Sequence, residues 1–105
     1  MILVQEQNVI AEGNGYDLKS LLEGQGVRFG IVSIPVGARI PLHDTGSHAQ
    51  DEYSYIVKGS LVMESGPHQY QVNAGDATLI PAGEAHWCYN NGKEEALVVW
   101  SLVSK

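Results

Sequence analysis

The hydrophobic and polar positions of this chain alternate in many short runs, which glycine and proline separate. Runs with a period of two residues are typical of half-buried β-strands, and many such runs divided by turns favour a sandwich or a barrel. We predict nine strands, at residues 2–5, 28–35, 38–43, 52–57, 60–64, 69–72, 77–80, 86–89 and 96–102. The sequence therefore predicts an all-β fold.

Two segments depart from the simple alternating pattern. Residues 16–23 carry Leu18, Leu21 and Leu22 at helical spacing behind Asp17, a residue that commonly caps helices. They predict a short helical turn near the N-terminus. The last strand, at residues 96–102, is apolar on both faces, which predicts a buried strand or one that lies at an interface.

The length of 105 residues predicts a single domain over residues 1–105. The hydrophobic fraction of 44% is sufficient for a core. Because a small domain buries a smaller share of its surface than a large one, association is a reasonable further source of stability. We therefore expect a homodimer.

Charge and composition exclude several classes of partner. The net charge is −6, and the six lysines and arginines are dispersed, so neither nucleic acid nor an anionic membrane is an expected partner. Cys88 is the only cysteine, which excludes an intrachain disulfide and fits a reducing compartment. We find no signal peptide and no apolar run long enough to span a membrane, so we expect a cytoplasmic protein.

Three of the histidines and one glutamate are candidate metal ligands. His43, His48 and Glu52 lie close together in the sequence, and His86 follows a remote segment with a Pro-x-Gly corner. Glycine and proline at such a corner fix the backbone, and they would hold His86 at a defined place on a sheet. Three imidazoles and one carboxylate suit first-row transition metals.

The spacing of these residues resembles the two motifs of the cupin family. Residues 37–59 contain the pattern Gly37-x5-His43, then His48-x3-Glu52-x6-Gly59, which is similar to the first motif. Residues 75–90 contain Gly75-x5-Pro81-x-Gly83-x2-His86-x3-Asn90, which is similar to the second. The resemblance implies a double-stranded β-helix, or jelly-roll, barrel. It also implies a divalent transition metal (Fe, Mn, Ni or Zn) held by His43, His48, Glu52 and His86.

The first motif differs from the usual cupin pattern, in which one residue separates the two histidines. Here four residues separate His43 from His48, and on a regular strand this spacing sends the two side chains to opposite faces. A bulge or short turn at Thr45-Gly46 would bring them together again. Without it, the site keeps His48, Glu52 and His86, which is still a facial set of two histidines and one carboxylate.

The resemblance implies that the barrel takes a small oxygenated organic molecule. Dioxygenase, isomerase or lyase chemistry at the metal would then be expected, with Glu52 and His86 as candidate catalytic residues. Strand parity makes Arg39, Ser54 and Cys88 candidate residues of the substrate pocket. The alternatives are a cupin that binds or senses a small ligand without turnover, and a structural dimer with a degenerate metal site.

Overall fold

A computed structural model describes residues 1–105. A short 3-10 helix at Glu6–Asn8 precedes nine strands. These strands are β1 (Asp17–Gly24), β2 (Val27–Ile34), β3 (Arg39–Ile40), β4 (Asp51–Lys58), β5 (Ser60–Ser65), β6 (His68–Asn73), β7 (Ala77–Ile80), β8 (His86–Tyr89) and β9 (Ala96–Val103). None of the helical structure is long and apolar enough to cross a membrane.

The strands form two antiparallel sheets that face each other across the core. One sheet has five strands in the order β1-β2-β9-β4-β7, and the other has four in the order β3-β8-β5-β6. Neighbours within each sheet are often distant in the sequence, so the chain passes repeatedly between the two layers, as in a jelly roll. The predicted all-β jelly-roll fold is confirmed.

Cross-strand register arranges the inward-facing residues of the larger sheet in rows. Every second residue is buried over residues 30–34 of β2 and 96–100 of β9, as expected for strands with one face on a core. Trp100 of β9 lies between Gly30 of β2 and Ser54 of β4 in one such row. The buried core consists of Val32, Ile34, Ile56, Leu61, Met63, Val72, Ile80, Ala96, Val98 and Trp100.

The helix predicted for residues 16–23 is wrong, because this segment forms strand β1. It pairs with β2, and a register shift between Ser20 and Leu22 inserts an extra residue into β1. This bulge shifts the strand alternation by one position, and the leucines of a bulged strand then show a spacing that resembles a helical one. A helical turn near the N-terminus does exist, but it lies at Glu6–Asn8.

Two predicted strands differ in extent from those observed. Residues 2–5 form no strand, and Ile2 and Leu3 are exposed there without a neighbouring strand to pair with. The strand predicted for residues 38–43 is limited to Arg39–Ile40, which pairs with Tyr89 and Cys88 of β8. The remaining predicted strands match observed ones to within one residue at each end.

Candidate metal centre

The structure brings together His48, Glu52 and His86 from two different sheets. Glu52 lies on β4 in the larger sheet, His48 lies four residues before it, and His86 begins β8 in the smaller sheet. One ligand atom of each residue lies within 4.8 Å of the others. The His48 and His86 rings are 4.9 Å apart between centroids, and His48 Nε2 is 3.2 Å from Glu52 Oε1. All three side chains are partly buried.

Backbone carbonyl groups orient both imidazoles. His48 Nδ1 lies 2.9 Å from the carbonyl oxygen of Gln50, and His86 Nδ1 lies 2.9 Å from that of Glu84. A carbonyl oxygen only accepts hydrogen bonds, so Nδ1 must carry the proton in each ring. In a neutral imidazole Nε2 then has a free lone pair, which is the arrangement that metal-ligating histidines usually show.

The same geometry shows that the residues present fit a bound cation. With the proton on Nδ1, a neutral His48 presents the lone pair of Nε2 to a Glu52 oxygen only 3.2 Å away. Two acceptors at that distance repel each other unless a proton or a metal ion lies near both. Two imidazole nitrogens and one carboxylate oxygen form a donor set typical of first-row transition metals.

The Pro-Gly corner before β8 contacts the segment that carries His48. The N–H of Gly83 donates to the carbonyl oxygen of His48 at 2.7 Å, and Gly83 has a φ of 80°, which glycine adopts without strain. The N–H of Ala82 donates to Asp51 Oδ1 at 2.8 Å. The corner therefore fixes the two halves of the cluster relative to each other, and Asp51 has a structural role beside it.

His43 lies outside this group. The chain leaves regular pairing after Ile40 and pairs again at Gly46, which exchanges two backbone hydrogen bonds with His86, at 3.0 and 2.9 Å. The chain bends over residues 41–44, where Asp44 has a φ of 60°, and no bulge or turn at Thr45-Gly46 brings His43 and His48 together. The Gly46 bridge lies next to His86 and brings His48 beside it, whereas His43 stays exposed in the loop. The structure therefore assembles the three-residue set and not the four-residue one.

A cavity of about 290 Å³ lies between the sheets and includes the cluster in its wall. Ser54 and Cys88, two of the three predicted pocket residues, line it together with apolar core side chains. Ser54 Oγ lies 3.5 Å from Glu52 Oε2. Burial raises the pKa of the Cys88 thiol to about 12, and the negative charge of Glu52 acts in the same direction. The thiol is therefore a neutral part of the cavity wall at neutral pH.

The predicted pocket residue Arg39 does not line the cavity. Its Nη1 donates to the carbonyl oxygen of Pro41 at 2.8 Å, and its guanidinium lies 5.1 Å from the centroid of the Trp87 ring. Its neighbour Ile40 faces the cavity instead, because the two residues point to opposite faces of β3.

Sequence reasoning missed a different arginine, Arg28, which does line the cavity. The available signal was strand parity, since Arg28 shares its face of β2 with the buried residues Gly30, Val32 and Ile34.

The fold and the cluster together define a jelly-roll protein with a His-Glu-His group in its barrel. The family model for the cupin domain matches residues 30–102, which include the whole cluster. The chain belongs to the cupin family.

Solved cupin structures share this fold at low sequence identity. A predicted oxalate decarboxylase from Thermotoga maritima superimposes with a TM-score of 0.86 at 19% identity, covering 99% of this chain and 100% of that one. The polyketide cyclase RemF from Streptomyces resistomycificus gives a TM-score of 0.81 at 15% identity, covering 100% of this chain and 80% of that one. At these identities the likeness shows the fold alone.

One curated relative matches over a short segment. The 11S globulin seed storage protein 2 from Sesamum indicum is 47% identical over 30 residues, which are 29% of this chain and 6% of that protein. The chain thus spans only a small part of the length of that relative.

Proposed function

We propose that His48, Glu52 and His86 bind a divalent transition metal (Fe, Mn, Ni or Zn), and that the cavity beside them takes a small oxygenated organic molecule. The observation that carries this proposal is the convergence of the three ligand atoms within 4.8 Å. The Nδ1 contacts of both histidines support it, since they leave each Nε2 free to act as a ligand.

The residues of the chain supply the surroundings of the metal. The two imidazoles bind as neutral donors, Glu52 contributes one negative charge, and the apolar wall lowers the local dielectric and so strengthens electrostatic contacts in the cavity. A bound metal of this class polarises substrate oxygens as a Lewis acid and orients them. Glu52 and His86 are the candidate catalytic residues, and we assign the reaction to the dioxygenase, isomerase or lyase type.

The proposal is tested by elemental analysis of protein purified without added metal and after incubation with each candidate ion. We expect about one ion per chain, and a large loss of metal in Glu52→Gln, which removes the negative charge of the carboxylate ligand, and in His86→Ala, which removes an imidazole ligand. His43→Ala and His68→Ala are matched controls on exposed histidines, and they should keep the metal. A metal content well below one ion per chain that is the same in the unmodified protein, Glu52→Gln and His86→Ala would contradict the proposal.

A second candidate function is ligand binding without turnover. Apart from the three proposed ligands, the titratable residues lining the cavity are Arg28 and Cys88. Arginine stays protonated in proteins, and Cys88 has a pKa of about 12, so neither acts as a general base near neutral pH. Saturable binding of a small molecule by the metal-loaded protein, with no product formed over many hours, would favour this function over the enzymatic one.

A further inference from the structure

Arg28 is the only lysine or arginine in the wall of the cavity. It lies opposite Leu102 in the pairing of β2 with β9, and Leu102 lies opposite Glu52 in the pairing of β9 with β4. Arg28, Leu102 and Glu52 therefore form one inward-facing row across three adjacent strands. Two interstrand spacings place the Cα atoms of Arg28 and Glu52 roughly 10 Å apart. A positive group and the proposed metal ligands thus lie at the same end of the barrel.

Neighbouring side chains hold the guanidinium of Arg28 in place. Its Nε donates to Ser20 Oγ at 3.0 Å, and its Cζ lies 5.5 Å from the centroid of the Trp100 ring. Glu23 is an exposed partner, with Oε1 3.6 Å from the same Nε. These contacts are made by Nε and Cζ of the guanidinium. They fix its orientation and do not involve its two terminal nitrogens.

The terminal nitrogens of Arg28 have no hydrogen-bond partner in the protein, since its contacts are made by Nε. The side chain lines the cavity and is 41% exposed, so it is open to a ligand that enters from solvent. Two parallel N–H groups on a planar guanidinium match the two oxygens of a carboxylate. A guanidinium that is held at Nε and whose terminal N–H groups are unpaired is suited to bind an anion.

We propose that the ligand of this site is a small organic anion whose carboxylate binds the terminal nitrogens of Arg28. The rest of the ligand would lie against Leu102 and Trp100, with an oxygen-bearing group directed toward His48, Glu52 and His86. The position of the oxygen-bearing group rests on the proposed function, because that function places the metal at His48, Glu52 and His86. The binding of the carboxylate to Arg28 does not require the metal.

Calorimetric titration with glutarate tests the proposal, with its uncharged diamide as the matched ligand. We expect Arg28→Gln to weaken glutarate binding about tenfold or more, since charge-assisted hydrogen bonds of this kind are lost. Binding of the diamide should stay unchanged. Arg28→Lys keeps the positive charge but loses the two parallel N–H groups, so its glutarate affinity should lie between those of the unmodified protein and Arg28→Gln. Arg39→Gln makes the same change at an arginine that also lies over an indole ring but outside the cavity, and it should bind glutarate like the unmodified protein.

The titrations are run on both zinc-loaded and metal-free protein, with the zinc content of each sample measured. Equal glutarate affinity in Arg28→Gln and the unmodified protein would overturn the inference, as would the absence of glutarate binding at millimolar concentration or a loss caused by Arg39→Gln instead. If the unmodified protein holds no zinc, the result counts against the metal site alone. The effect of Arg28 on glutarate affinity is then still measured in the metal-free protein.

Discussion

At the scale of single residues, Asn90 shows how one buried polar side chain joins the two sheets. It is completely buried at the point where the chain leaves β8 to enter β9 in the other sheet. Its Nδ2 donates to the carbonyl oxygens of Ile34 and Glu94, at 2.8 and 2.9 Å, and its Oδ1 accepts from the N–H of Gly92 at 2.9 Å. All three partners are backbone atoms.

We predict that Asn90→Ala destabilises the protein by roughly 2–4 kcal/mol, because it removes three hydrogen bonds and leaves the buried Ile34 carbonyl without this donor. Denaturant unfolding of the metal-free protein measures the change. Asn91→Ala is the control, since Asn91 makes one exposed side-chain contact, to Gln71 at 3.3 Å, and should cost less than about 0.5 kcal/mol. Equal effects of the two substitutions would contradict the structural role of Asn90.

At the scale of elements, a glycine on β2 makes room for the largest core side chain. Gly30 lies opposite Trp100 in the row that also contains Ser54. A Cβ atom added at Gly30 would be 2.3 Å from the Trp100 ring and 2.2 Å from the carbonyl oxygen of Lys19 on β1. The glycine therefore allows the indole to approach the β2 backbone closely, and the Arg28 Cζ lies over the same ring at 5.5 Å from its centroid.

We expect Gly30→Ala to destabilise the fold by about 1–3 kcal/mol, since the added methyl must displace the indole or the β1 backbone. Unfolding experiments measure the cost, and a change in tryptophan fluorescence would report the displaced ring. Gly24→Ala is the matched control at the end of β1, where an added Cβ meets nothing within 4 Å. If both variants are as stable as the unmodified protein, the close packing of Trp100 on Gly30 is contradicted.

Elements with period-two patterns could be predicted from the sequence because local alternation reflects burial of one sheet face. Ser54 and Cys88 share strand parity with Glu52 and His86, and both residues line the cavity. The cupin motifs likewise predicted three residues that the structure brings together.

The errors arise where non-local pairing decides the structure. The bulge in β1 depends on its pairing with β2, and the position of His43 depends on where Gly46 pairs with His86. Arg28 was missed although it shares its strand face with the buried residues of β2, because a charged residue at the end of a strand is usually solvated.

At the scale of the whole molecule, the outer face of the larger sheet is apolar and uncovered. Tyr53 and Tyr55 of β4 are 48% and 50% exposed, so no second layer of the same chain covers them. Leu79 and Phe29, which belong to the same row as Tyr53 and Ser101, are also exposed. Contiguous exposed apolar surface of this kind is typical of protein interfaces. The apolar outer side of β9 lies in the middle of this face.

We propose that a second copy of the chain covers this face. Each copy has a net charge of −6, and an uncharged region of the sheet is where two such copies meet with least repulsion. A two-fold dimer would pair the same patch on both chains. We therefore expect a dimer at micromolar concentration in sedimentation equilibrium, and a monomer for Tyr55→Glu, because that substitution buries two uncompensated charges at the interface.

Tyr70→Glu provides the matched control for this experiment. Tyr70 is 52% exposed, close to the 50% of Tyr55, but it lies on β6 at the edge of the smaller sheet. The same substitution there adds the same charge without touching the proposed interface, so this variant should remain dimeric. A monomeric unmodified protein at micromolar concentration, or dissociation by Tyr70→Glu with Tyr55→Glu unaffected, would show that the outer face of the larger sheet does not form the dimer.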